Sequence, residues 1–264
     1  MPRHAKHPPA QIAVMLVNLE SDRATLETLS LLASESPADI HGLFLEDIEL
    51  LSLAGLPLAR EYCRLTHVER VVQAPDLERQ FRIQARAAER ALMALASRRG
   101  LHCSFRTVRG EPATLLRETL EAMDLMLLGA THKTLSVADY DAFTTRGRPP
   151  KRPVTVVFDG SEAAQRAVGV AAQLARARAG PLTALLVADS SAALEALRAQ
   201  VAERLGQQPA EFRETVNPDM SELIRLVQSS RASCLVIGRN EDLLTPDNIE
   251  RLRRQPGCPV VLVS

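Results

Sequence analysis

Phe212-Arg213-Glu214-Thr215-Val216 echoes an earlier stretch of the same chain, Phe105-Arg106-Thr107-Val108. Each reads as a strand. Each is followed by a turn, a helical pattern and a short apolar run closing on glycine, Leu125–Leu128 before Gly129 and Cys234–Ile237 before Gly238. The separations from Val108 to Gly129 and from Val216 to Gly238 are nearly equal. An echo of that length points to internal duplication, and a period too long for a solenoid makes each copy a domain.

Working outward, strand and helix patterns alternate. In the first copy, strands are expected at Gln11–Asn18, Asp39–Glu46, His102–Val108 and Leu125–Leu128. Between them lie helical patterns opened by Ser21 and Asp22 as caps, at Ile48–Arg60, at Asp76–Arg99 before Gly100, and at Glu111–Met123 with Pro112 in the first turn. In the second copy the strands are Val154–Phe158, Leu182–Val187, Glu211–Val216, Cys234–Ile237 and Pro259–Val263. The helices there are Ser161–Arg178, Ala192–Leu205, Asp219–Ser229 and Pro246–Arg254, the last behind Thr245. This alternation implies an α/β chain of two tandem, doubly wound, Rossmann-like parallel-sheet domains. The expected division is an N-terminal tail at 1–10, a first domain at 11–130, a linker at 131–152 and a second domain at 153–264. The linker carries Arg146-Gly147-Arg148-Pro149-Pro150-Lys151-Arg152. The first copy has no apolar run matching Pro259–Val263, so it is expected to lack its last strand and to leave a sheet edge open for strand addition.

Composition narrows the function classes. The chain has 264 residues with 46% apolar and only 3% aromatic content, so aliphatic side chains must fill the cores. Its 32 basic and 32 acidic residues cancel, which gives no general attraction to nucleic acid or to an anionic membrane. Apolar runs fall far below the roughly 18 residues of a membrane span. No apolar segment follows the basic residues of Met1–Ala10, so no secretory signal is read and a cytoplasmic location is expected. Cys63, Cys103, Cys234 and Cys258 are too scattered for a metal site.

The strand ends carry a family resemblance. Val154-Thr155-Val156-Val157-Phe158-Asp159-Gly160-Ser161-Glu162 resembles the opening of a universal stress protein domain. So do Leu185-Leu186-Val187-Ala188-Asp189, Cys234-Leu235-Val236-Ile237-Gly238 and Cys258-Pro259-Val260-Val261-Leu262-Val263. In the first copy, Gly42-Leu43-Phe44-Leu45-Glu46-Asp47 and Asp124-Leu125-Met126-Leu127-Leu128-Gly129 follow the same plan. The resemblance covers nearly the whole chain apart from tail and linker, and it implies the tandem form, stress-response roles and tandem or dimeric association. Some members bind ATP and others do not.

In the ATP-binding members, an Asp ending the first strand meets the adenine, and a residue ending the second strand contacts the base. A Gly-x-x-Gly loop with a later Gly-Ser or Gly-Thr wraps the phosphates. The resemblance carries these roles onto Asp159, Val187 and Gly238, with Gly129 as the loop glycine of the first copy. The loops depart from the pattern. Glu241 stands at the second glycine and Arg251-Leu252 at the later pair. In the first copy Leu19 replaces the Asp, His132 the second glycine, and Ala142-Phe143 the Gly-Ser. A carboxylate repels a triphosphate, and a side chain blocks close backbone approach. Two readings of Asp159 stay open, adenine contact and a cap for the following helix. For Gly129 and Gly238, a tight turn after a strand is favoured over phosphate contact.

Other chemistry is weaker. Glu46, Asp47 and Glu49 form an acidic cluster read as a solvated loop, and Arg251, Arg253 and Arg254 read as a solvated helix face. His132-Lys133 could meet an anion, and Cys258 reads as buried packing. There is no nucleophile elbow, Walker loop or paired Cys-x-x-Cys. The expectation is a non-enzymatic stress-response or regulatory protein acting by self-association, as an intrachain pseudo-dimer or homodimer, or by binding a partner. No cofactor other than ATP, no catalytic residue, no nucleic acid and no membrane is expected. The alternative is a nucleotide-binding module in the second domain, taking ATP with slow hydrolysis.

Overall fold

The computed structural model describes residues 10–17, 19–34, 37–56, 59–63, 68–71, 73–129, 151–240 and 245–264. The tail at 1–9 and most of the expected linker lie outside the described residues. The first half contains β1 (Ala10–Leu16), α1 (Leu19–Leu32), β2 (Ala38–Asp47) and α2 (Ile48–Ala54). These are followed by β3 (Arg60–Cys63), β4 (Val68–Val71), α3 (Ala74–Arg99), β5 (His102–Gly110), α4 (Pro112–Ala122) and β6 (Leu125–Leu128). The second half contains β7 (Val154–Phe158), α5 (Glu162–Ala177), β8 (Leu182–Ala188), α6 (Ser191–Leu205) and β9 (Ala210–Val216). It closes with α7 (Met220–Ser229), β10 (Cys234–Gly238), α8 (Pro246–Arg254) and β11 (Val260–Val263).

All but β3 and β4 join one nine-stranded sheet in the order β5-β2-β1-β6-β11-β10-β7-β8-β9. Within each half the neighbours are parallel, and the orders β5-β2-β1-β6 and β9-β8-β7-β10 follow the same plan. The halves meet where β11 runs antiparallel to β6, with Val260 opposite Leu128 and Val263 opposite Leu125. This corrects the expected open edge: the slot beside β6 is filled by the chain's own last strand. The exposed edges are β5 and β9 instead.

The local reasons are plain in the sequence. Val154–Phe158, Cys234–Gly238 and Val260–Val263 are buried throughout, as strands covered on both faces must be. At the outer edge, β5 has only exposed and half-buried positions. Ser161, Ser190, Asp219 and Thr245 each accept a backbone N–H in the first turn of the helix that follows. Gly100 closes α3 at φ +64°, a left-handed conformation that suits glycine. One expected cap differs. Helix α1 begins at Leu19, ahead of Ser21 and Asp22, and Asp22 reaches back from the first turn so that its Oδ2 accepts from Val17 N at 2.9 Å.

Two apolar layers sandwich the sheet. On one face α1, α3, α5 and α6 pack over Ile12, Val14, Phe44, Val156 and Val236. On the other face α4, α7 and α8 pack over Met15, Leu45, Met126, Leu235 and Leu262. Both layers run through both halves. Phe44 is fully buried and meets Phe81 edge-on, with ring centroids 6.4 Å apart at 69°. Phe44→Ala is expected to lower stability by about 3–5 kcal/mol, read from denaturant unfolding.

Candidate functional site

In the second half, β7 and β10 are neighbours in the sheet, and the chain leaves them for helices on opposite faces, α5 and α8. A crevice beyond the carboxyl ends of such strands is where ligands of open α/β sheets bind. Asp159 follows β7, Gly238 ends β10 and Val187 is the penultimate residue of β8. The structure therefore brings three of the four residues singled out from the sequence to one end of adjacent strands.

Asp159 is half-buried, and protein groups contact both of its carboxylate oxygens. Oδ1 accepts the Ser161 backbone N–H at 2.9 Å, and Oδ2 accepts from Asn240 Nδ2 at 2.8 Å. Burial alone would raise its pKa, but the hydrogen bonds from Ser161 and Asn240 outweigh burial and hold it below the ordinary carboxylate value. Beside it, Ser161 Oγ accepts from Ala164 N at 3.1 Å and caps α5. Gly238 lies against the same first turn: a Cβ there would fall 2.4 Å from Ala164 N and 2.7 Å from the Ala163 carbonyl oxygen. Close packing of strand end on helix start thus requires glycine at this position. Val187 is half-buried against the cluster under α7. Leu252, at the later phosphate-loop position, is fully buried, and Glu241 lies outside the described residues.

Gly129 is not part of this constellation. Because β6 runs antiparallel to β11, its carboxyl end sits at the opposite end of the sheet from that of β10. A Cβ on Gly129 would fall 1.9 Å from Asp22 Oδ1, so the glycine makes room for a buried carboxylate. His132, Lys133, Ala142 and Phe143 lie outside the described residues.

Two surface readings are corrected. Arg253 is only 3% exposed: it donates to Glu250 at 2.6 and 2.8 Å and stands 3.7 Å from Asp47 Oδ2. Asp47 and Glu46 are buried rather than solvated. Asp47 caps α2 through Glu49 N and Leu50 N, and Glu46 pairs with Arg109 at 2.8 Å. Arg251 and Arg254 do remain exposed. Among the described residues no group of three His, Cys, Asp or Glu could hold a metal, and no helix is long and apolar enough to cross a membrane. Cys234 and Cys258 are buried, and desolvation pushes the Cys234 thiol up to about 12 and raises Cys258 likewise. Neither is poised as a nucleophile.

Asn240 is the site residue that sequence reasoning missed. It reads only as a polar loop residue two positions after a strand. Its partner Asp159 is visible only once the strand ends converge.

Two outcomes follow from this geometry. Gly238→Ala should lose about 1–3 kcal/mol in denaturant unfolding, because backbone atoms leave no room for the methyl group. Asp159 has a folded-state pKa below its unfolded value of about 3.9, so its contribution is full above that pH and is lost as pH falls through the folded value. Asp159→Asn should therefore be less stable than the parent at neutral pH. Thermal unfolding across a pH series should show the gap closing in acid.

The sequence profile described as the universal stress protein family matches residues 151–264. None of the curated proteins matches the chain. Among solved structures, a universal stress protein from Archaeoglobus fulgidus DSM 4304 aligns over 97% of this chain and 96% of its own, at 12% identity and TM-score 0.52. A putative universal stress protein from Pseudomonas aeruginosa UCBPP-PA14 aligns over 97% and 93%, at 12% identity and TM-score 0.48. A universal stress protein in complex with cAMP aligns over 43% of this chain and 97% of its own, at 27% identity and TM-score 0.36. Residues 151–264 match the universal stress protein family, and the chain as a whole shares the fold of the Archaeoglobus universal stress protein.

Proposed function

We propose that this is a stress-response protein of universal stress type that works by association, with a second copy or with a partner, and not by turning over nucleotide. We take its units to be half-domains at 11–130 and 153–264 joined by 131–152. The observation that carries this reading is the internal use of Asp159. Both carboxylate oxygens are engaged by Ser161 and Asn240, which favours the turn-and-cap role over adenine contact. Gly238 is likewise accounted for by packing on α5.

An association role needs a surface, and the sheet edge beside β6 does not supply it. The first half carries a segment between β2 and α3 where the second half passes from β8 almost directly into α6. That segment exposes Ile48, Leu50 and Leu53 on α2, then Leu56, Tyr62 and Val71. Exposed apolar side chains gathered on one insertion favour protein contact.

A second reading keeps its own support, because Asp159, Val187 and Gly238 lie at the carboxyl ends of neighbouring strands, the end at which open α/β sheets bind ligands. Titration with labelled ATP and magnesium separates the two. The expected result is no saturable binding at millimolar ligand, with concentration-dependent association in light scattering coupled to size exclusion. Saturable binding that Asp159→Ala abolishes would establish the nucleotide reading instead.

A further inference from the structure

At the outer edge of the first half, on the face that carries α4, strands β1, β2 and β5 align a row of polar side chains. Register sets Gln11 beside Asp39 and His41 beside Ser104. His41 Nδ1 stands 3.0 Å from Ser104 Oγ, and His41 Nε2 stands 2.7 Å from Gln11 Oε1. Gln11 Nε2 in turn donates to Asp39 Oδ2 at 3.1 Å.

This chain of contacts fixes the protons. A carboxylate only accepts, so Gln11 must turn its amide nitrogen to Asp39 and its oxygen to His41. That oxygen also only accepts, so Nε2 of the neutral imidazole carries the proton. The Nδ1 lone pair then faces Ser104, whose hydroxyl donates to it. A nucleophile, a base and a group orienting the base, in hydrogen-bond sequence, form the arrangement that activates a serine.

The pair opens on a space. A cavity of about 260 Å³ is lined by His41, Ser104, Arg106, Thr119 and Met123, among others. It lies below the roughly 300–1,000 Å³ of ordinary ligand sites, which limits the guest to a small group. Ser104 is exposed and therefore reachable. Arg106, two residues along β5 on the same face, brings a positive charge to this cavity that can meet a developing oxyanion or a substrate carboxylate.

We propose that Ser104 is an acyl-accepting nucleophile, with His41 as its general base and with Gln11 and Asp39 as positioning residues, acting on small carboxylic esters. Ser104 Oγ bonds to the acyl carbon while its proton passes to His41 Nδ1. The ester C–O bond breaks, and the leaving alkoxide takes that proton. Water, deprotonated by the same nitrogen, then cleaves the acyl-serine, releasing the acid and restoring the hydroxyl. This site shares no residue with the strand ends around Asp159, so its failure leaves the association reading untouched.

The test is reaction of the 264-residue chain with p-nitrophenyl acetate, following p-nitrophenol release and locating the acetyl group by peptide mass spectrometry. The expected result is a burst matching the protein concentration, with the acetyl group on Ser104. Ser104→Ala should abolish the burst, and His41→Gln should slow it by about a hundredfold or more. Gln11→Leu should slow acylation and move its pH profile at unchanged melting temperature, which a merely structural Gln11 would not do. Absence of acetyl on Ser104, or a burst that persists in Ser104→Ala or at full rate in His41→Gln, would overturn the proposal.

Discussion

The antiparallel pairing of β6 with β11 is the contact on which the molecule depends. A four-strand half-sheet with an uncovered inner edge would expose a row of backbone donors and acceptors. The last strand of the second half closes that edge and turns two half-sheets into one. The helices follow the seam, with α1 against α5 on one face and α4 against α8 on the other. Polar contacts cross at the same place. Arg178 donates to Thr28 Oγ1 at 2.6 Å, Gln173 donates to the Leu32 carbonyl at 3.4 Å, and the Ser264 hydroxyl donates to the Met123 carbonyl at 2.7 Å.

Reversing strand direction at the seam sets where the strand-end residues lie. The carboxyl ends of the two half-sheets point to opposite ends of the molecule, so loop residues that look equivalent in sequence never meet. Asp159, Val187 and Gly238 gather at one end, and Gly129 at the other is committed to accommodating Asp22. The buried pair of Arg253 with Asp47 crosses between the halves at that second end. Such a pair contributes less to stability than its Coulomb attraction suggests, because both charges lose water, but removing either partner leaves an uncompensated buried charge.

Much of the fold was legible because strand and helix signals are local. Val154–Phe158 and Pro246–Arg254 fall where the apolar run and the Thr245-Pro246 cap place them, and Gly100 ends α3 as its position indicates. The short hairpin of β3 and β4 was not legible, since both strands are brief and lack a clear apolar alternation. The candidate site was legible only in part. Strand-end residues can be read from sequence, but whether a carboxylate there is free for a ligand depends on neighbours such as Asn240, eighty-one positions away along the chain.

The sequence by itself determined the alternation of strands and helices, the repeated plan of the two halves and the likeness of residues 151–264 to universal stress proteins. These rest on periodicity, caps and short motifs, which act over a few residues. Only the tertiary structure decided that the first half borrows the second half's last strand as its neighbour. It alone decided that Arg253 is buried rather than solvated, and that His41, Ser104 and Gln11 stand in hydrogen-bond sequence. Those outcomes depend on register and strand direction between segments far apart in the chain, where one-residue or one-sense changes move every side chain to another face or another end.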